Sequence, residues 1–211
     1  REEGVFTFLS FGTWKKRKGW VQLLDAWAQE FKPNDPVRLI IKTDRHTMAN
    51  IAVDQAVRNL GITRKDIAPI LFESRILRDD ELPGFMKSAD CLICPTMGEG
   101  FGLPGLQCMA LGVPIVITNF SGCTDYANEQ TATLIVPAKF IIYNEMDNIP
   151  QFRGKKWANV TTEEVRTKMR YAYENQPEIK SKADKSTSFA MENFGYTKTA
   201  ERLSQLFESL R

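Results

Sequence analysis

The 211-residue chain carries 28 Lys and Arg against 26 Asp and Glu, a formal net charge of +2, with 43% hydrophobic and 26% charged residues. That length suits one α/β domain with a helical appendage, and so small a charge excludes a strongly basic nucleic-acid binder. No apolar run approaches the ~20 residues needed to span a bilayer, and nothing resembles a secretory signal. The opening Arg1-Glu2-Glu3-Gly4 leads straight into an apolar segment with no initiating Met, which reads as a piece cut from a longer protein.

Short apolar runs alternate with amphipathic stretches along the first two thirds. The predicted elements, in chain order, are strand Val5–Phe11, helix Gly19–Phe31, strand Val37–Ile41, helix Thr47–Leu60, strand Ala68–Phe72 and helix Asp79–Ser88. Strand Cys91–Pro95, helix Pro104–Leu111, strand Val113–Thr118, a brief helix Thr124–Asn128 and strand Thr133–Val136 follow. This alternation predicts a Rossmann-like parallel sheet of about six strands, with helices on both faces. Residues 1–136 form that core. Pro137–Val160 reads as irregular, including Tyr143 to Asn148, and three helices follow at about Thr161–Asn175, Glu178–Asn193 and Tyr196–Leu210. The last of these is amphipathic, with Leu203, Leu206, Phe207 and Leu210 at spacings of three and four, and Gly195 stands where a C-cap glycine would.

Ligands of such sheets bind outside the carboxyl ends of the strands, so the loops after the strands are the places to look. After the first strand, Lys15-Lys16-Arg17-Lys18 crowds four cations just where a helix begins. Cations are disfavoured at that end of a helix dipole, and a bound anion such as a nucleotide diphosphate would remove the conflict. A solvated basic loop is the plainer reading. Trp20 and Trp27, seven apart, read as core, Lys155-Lys156 as a solvated loop, and the sole histidine, His46, as a structural or solvated loop residue after the second strand.

The four cysteines stand at 91, 94, 108 and 123. Cys91 and Cys94 form a CxxC, yet they lie in one short strand, where side chains three apart face opposite sides of the sheet. No histidine or second CxxC completes a tetrahedral metal site, so the thiols read as buried and structural, in keeping with a reducing, cytoplasmic setting.

The richest stretch runs from Pro95 to Val116. It reads as a buried strand, a turn holding Gly98, Gly100 and Gly102, a helix opened by Pro104 and another strand. The glycines allow unusual dihedrals and close approach of a ligand, and the helix start offers an anion site. Glu99 stands in the turn and Gln107 about one turn into the helix, so both can face a ligand lodged at that mouth. A plain tight connection explains the glycines without the acid, and spacing alone leaves both readings open.

Over about twenty positions this stretch resembles the signature of the family-4-type retaining glycosyltransferases of the two-domain GT-B fold. Their pattern is Pro-Ser, then Glu-Gly-Phe-Gly-Leu-Pro, a second Glu after seven intervening residues, Ala-Met-Ala and a Gly before x-Pro-Val-Val. The resemblance implies that Glu99 contacts the donor sugar's hydroxyls and serves as the catalytic-site acid. It also implies that the backbone of Gly100, Phe101, Gly102 and Leu103 approaches sugar and phosphates. The second glutamate grips the ribose. Its position here is Gln107, whose amide can still accept a hydrogen bond but without charge assistance. The family's phosphate loop reads Gly-Arg, several residues, Lys-Gly, which maps Gly12 and Lys18-Gly19 onto donor binding. The arginine position is Thr13, so either Lys15 or Lys16 substitutes or the phosphate grip is reduced. Arg75 and Ile76, just after the third strand, fall where the family contacts the nucleobase.

The resemblance covers nearly the whole chain and implies the C-terminal, donor-binding domain of a retaining hexosyltransferase using a UDP- or GDP-linked sugar. No metal or other cofactor is expected, since no Asp-x-Asp-type motif appears. The site for the acceptor, a glycan, lipid or protein, would belong to an N-terminal domain outside this chain, and without that domain the fragment is expected to bind donor but not transfer sugar. Two alternatives remain: a nucleotide-sugar-binding module without activity, favoured by Thr13 and Gln107, and a sugar-nucleotide epimerase, disfavoured by Glu-Gly-Phe-Gly-Leu-Pro.

Overall fold

The computed structural model describes residues 3–44, 46–143 and 149–210, with the side chains of His46 and Thr47 also outside the description. Six strands form one parallel sheet: β1 (Phe6–Phe11), β2 (Val37–Lys42), β3 (Ile70–Glu73), β4 (Cys91–Cys94), β5 (Ile115–Thr118) and β6 (Thr133–Ile135), in the order β3-β2-β1-β4-β5-β6. This is the doubly wound Rossmann order, and the strand order reverses between the parallel neighbours β1 and β4. Helices α1 (Trp20–Glu30), α2 (His46–Asn59), α3 (Leu82–Lys87) and α4 (Leu103–Ala110) connect the strands.

The alternation of side chains along each strand feeds two apolar layers, one on each face. Phe8, Trp27, Phe31 and Leu39 belong to one, and Leu9, Leu92, Met109 and Tyr126 to the other. Trp20 and Trp27 are core residues as expected, with the Trp27 indole N–H donating to the Ala68 carbonyl at 3.0 Å. Cys91 packs in the first layer and Cys94 against the second, so the two thiols of the CxxC do lie on opposite faces of β4. All four cysteines are free.

Several expectations need correction. The segment read as irregular contains a two-stranded antiparallel ribbon, β7 (Phe140–Ile142) paired with β8 (Lys156–Ala158), whose Trp157 packs with Met97 and Phe152. Asn144 to Asn148 lie outside the described residues. The brief helix expected at Thr124–Asn128 is a 3-10 turn at Ser121–Asp125. His46 is the first residue of α2 rather than part of a loop, so the helix starts one residue earlier than its apolar pattern suggests.

The last three helices are α5 (Thr162–Glu174), α6 (Gln176–Phe194) and α7 (Tyr196–Ser209). Thr161 caps α5 in a reciprocal box with Glu164, a device readable from Thr-x-x-Glu. Gly195 ends α6 in an extended conformation, φ −67°, not the left-handed one of a glycine C-cap; its Cβ would lie 2.5 Å from the Met191 carbonyl oxygen. In α7 no residue is buried, and its apolar stripe at Leu203, Leu206, Phe207 and Leu210 is exposed.

Candidate donor site at the switch point

The loops that leave β1 and β4 face each other across the crevice where the strand order reverses. The first is shaped by backbone. Lys16–Lys18 form a single 3-10 turn that stops at Gly19, which is left-handed at φ +73°. A Cβ at Gly19 would sit 2.0 Å from the Pro95 carbonyl oxygen, so only glycine lets this loop lie against the end of β4. The Arg17 carbonyl accepts the Met97 N–H at 2.7 Å and lies 3.0 Å from Thr96 Oγ1, stitching the loops together.

The second loop is held in the same way. Gly102 caps α4 at φ +83°, no side chain caps that helix, and Pro104 opens it. The Glu99 N–H donates to Ser121 Oγ at 2.8 Å and the Gly122 N–H to the Glu99 carbonyl at 3.2 Å. Ser121 is the one positive-φ residue other than glycine among the described residues, at +58°, and its Oγ in turn donates to the Phe120 carbonyl. Trp157 of β8 lies against Gly98, where a Cβ would come within 2.9 Å of the ring.

Between them sits a compact charge cluster. Lys18 Nζ is 2.6 Å from Glu99 Oε1, and Arg17 Nη1 is 2.7 Å from Glu99 Oε2 and 3.3 Å from the Gly98 carbonyl. The side chains are 15%, 22% and 11% exposed for Lys18, Arg17 and Glu99, so this pairing is poorly screened compared with surface ion pairs. Thr96 Oγ1 lies 3.2 Å from Glu99 Oε1. Lys16, Arg17 and Lys18 occupy their own 3-10 turn ahead of α1, and Lys18 and Arg17 pair with Glu99, some eighty positions downstream.

Lys18, Thr96, Glu99, Gly102, Pro104 and Cys123 line a cleft at this point. Lys18 folds over Gly12, its chain 3.2–3.4 Å from where a Cβ would be. Burial pushes the Cys94 thiol well above its ordinary range and Cys123 up to about 11, so both stay neutral and unreactive at physiological pH. Tyr126, whose hydroxyl donates to the Gly102 carbonyl at 2.7 Å, is likewise held protonated by burial.

The other sequence candidates distribute around the cluster. Leu103 and Gln107, four apart on α4, share an exposed face. Gly100 is exposed, while the Phe101 ring turns inward against Tyr126 and Phe194. Thr13 is exposed and offers its carbonyl to the Trp20 indole at 3.0 Å. Lys16 is committed to Tyr143, hydrogen-bonded to its hydroxyl and 3.6 Å from its ring centroid. Arg75 and Ile76 follow β3, two strands from β1, or about 10 Å at ordinary strand spacing. Arg75 forks onto Glu73 at 2.6–3.1 Å, and Ile76 is 97% exposed. Sequence reasoning passed over Arg17, whose only signal is its place in the basic run, and Ser121, marked by a Ser-Gly turn dipeptide.

A doubly wound sheet with a charged, glycine-built crevice at its switch point defines the class: a Rossmann-like α/β domain. Residues 5–142 match the family described as Glycosyl transferases group 1, and the chain belongs to that family. It is 33% identical over 124 residues to the MMP alpha-(1->4)-mannosyltransferase of Mycolicibacterium hassiacum, covering 57% of this chain and 28% of that protein. Over 130 residues it is 24% identical to the GDP-mannose:cellobiosyl-diphosphopolyprenol alpha-mannosyltransferase of Xanthomonas oryzae pv. oryzae, covering 62% and 33%. The chain therefore spans a third or less of the length of these curated relatives. Among solved structures, the C-terminal domain of the group 1 glycosyl transferase LpcC from Francisella tularensis aligns with TM-score 0.67 and 17% identity, over 90% of this chain and 87% of that one. Anabaena Alr3699/HepE in complex with UDP-glucose aligns with TM-score 0.71 and 17% identity, over 97% and 49%. The fold is thus one half of the GT-B architecture. Among the described residues, no helix is long and apolar enough to cross a membrane.

Proposed function

We propose that this chain is the donor-binding half of a retaining glycosyltransferase of the family-4 type, holding a UDP- or GDP-linked hexose at the switch-point crevice. The observation that carries the reading is the Lys18–Glu99 pair, 2.6 Å across the crevice, which sets one cation and one carboxylate side by side where a sugar diphosphate would lie. Lys18 meets the diphosphate and neutralises it as a leaving group, together with the uncapped start of α4. Glu99 turns to the sugar hydroxyls, Gln107 to the ribose, and the exposed loop at Arg75 and Ile76 to the base. The reading needs no metal, because cations and helix N–H groups meet the phosphate charge. Gln107 for a glutamate and Thr13 for an arginine favour a second reading, a module that binds nucleotide sugar without transferring it.

Calorimetric titration of the chain with UDP, GDP, uridine and guanosine tests the proposal. One diphosphate should bind at least tenfold more tightly than its nucleoside. Lys18→Ala should remove on the order of 1.5–3 kcal/mol from the diphosphate and little from the nucleoside. Equal loss for both would show that the lysine acts through folding, and absence of diphosphate binding by the wild type would refute the reading.

A further inference from the structure

Resting on that reading, we infer that Arg17 is the positioning residue that keeps Glu99 aimed at the donor sugar once Lys18 has moved to the diphosphate. The two oxygens of Glu99 are held by two different cations, Oε1 by Lys18 and Oε2 by Arg17. The cations differ in place. Lys18 lines the cleft beside Glu99, whereas the cleft lining does not include Arg17, which reaches Glu99 Oε2 and the Gly98 carbonyl.

They differ in freedom as well. The Arg17 guanidinium bridges Glu99 Oε2 and the Gly98 carbonyl, 2.7 and 3.3 Å away, and the Arg17 carbonyl accepts the Met97 N–H at 2.7 Å. Side chain and backbone of one residue therefore fasten both ends of the turn from Met97 to Glu99. A planar guanidinium suits this double contact, while the flexible ammonium of Lys18 suits transfer from one anion to another. A diphosphate entering the cleft competes with Glu99 for Lys18. With Lys18 withdrawn, Oε1 becomes available to a sugar hydroxyl beside its contact with Thr96 Oγ1, and Arg17 is the cation that keeps the carboxylate paired and oriented. Glu99 would otherwise become a poorly hydrated charge with no cationic partner, a costly state. Arg17 thereby supplies the second cation of the site from a position four residues beyond Thr13.

The test compares a nucleoside diphosphate with its sugar conjugate, UDP with UDP-glucose and GDP with GDP-mannose, on the same chain. For Arg17→Ala the affinity ratio of conjugate to free diphosphate should fall at least fivefold, and Arg17→Lys should restore part of it. In a Glu99→Gln background, Arg17→Ala should lower that ratio less than twofold further, since the residue acts through Glu99. Circular dichroism and thermal melting identify variants that unfold, and Arg17→Lys then carries the comparison. Equal losses for diphosphate and conjugate would make Arg17 a phosphate contact and overturn the inference while leaving the proposed function standing. An undiminished effect of Arg17→Ala in the Glu99→Gln background would also overturn it. If the wild type binds neither diphosphate, the proposed function falls and this inference with it.

Discussion

The two loops that meet at the switch point are built in opposite ways. The turn after β1 spends four consecutive positions, Lys15 to Lys18, on cations, while the turn after β4 sets a single acid among three glycines. Each is puzzling locally: the first repels itself, and the second buries a carboxylate in a glycine-rich turn. Across the crevice they complete each other, with Glu99 between Lys18 and Arg17. The comparison teaches that charge sets what the site can hold, while glycine sets whether the loops can approach closely enough for those charges to meet.

The sharpest way to break the comparison is therefore to disturb a backbone pivot rather than a charge. Gly19→Ala must force a Cβ into the Pro95 carbonyl from a left-handed backbone. Chain strain and overpacking together should cost about 3 kcal/mol of stability in urea denaturation. A loss below ~1 kcal/mol would show that the loops can separate without penalty. Removing the acid separates the roles of the two loops. Glu99→Gln frees Lys18 from its internal partner, so free UDP or GDP should bind a few-fold more tightly while the extra affinity of the sugar conjugate disappears. Unchanged diphosphate affinity in that variant would mean that carboxylate and phosphate never compete. The smallest effect belongs to the rim. Gln107→Glu on the exposed face of α4 should tighten diphosphate and conjugate alike by up to ~1 kcal/mol if a neutral ribose contact becomes charge-assisted. No measurable change would remove Gln107 from the site.

What the sequence made legible follows the same division. The six parallel strands were readable because each is a short apolar run flanked by turn residues, and the C-terminal helices because their apolar spacing is regular. Glu99, Lys18 and the glycines were readable as a local pattern. The partnership of Arg17 with Glu99 was not, because it joins positions 82 apart whose side chains carry no mark of each other. The ribbon of β7 and β8 was missed for a related reason. Two strands of three residues cannot show a period, and their pairing is visible only once Trp157 has packed under Gly98. Thr13 marks a third kind of gap: the matched position is exposed, and the cation that serves the cluster comes from elsewhere in the same loop.

The central claim is that the Lys18–Glu99 pair occupies the place of the donor diphosphate and opens when the donor arrives. A crystal structure of this chain with UDP or GDP, whichever binds, addresses it directly. The account predicts that Lys18 Nζ leaves Glu99 for a phosphate oxygen at roughly 3 Å, while Arg17 stays on Glu99. A diphosphate bound elsewhere, with the Lys18–Glu99 contact still at 2.6 Å, would contradict it.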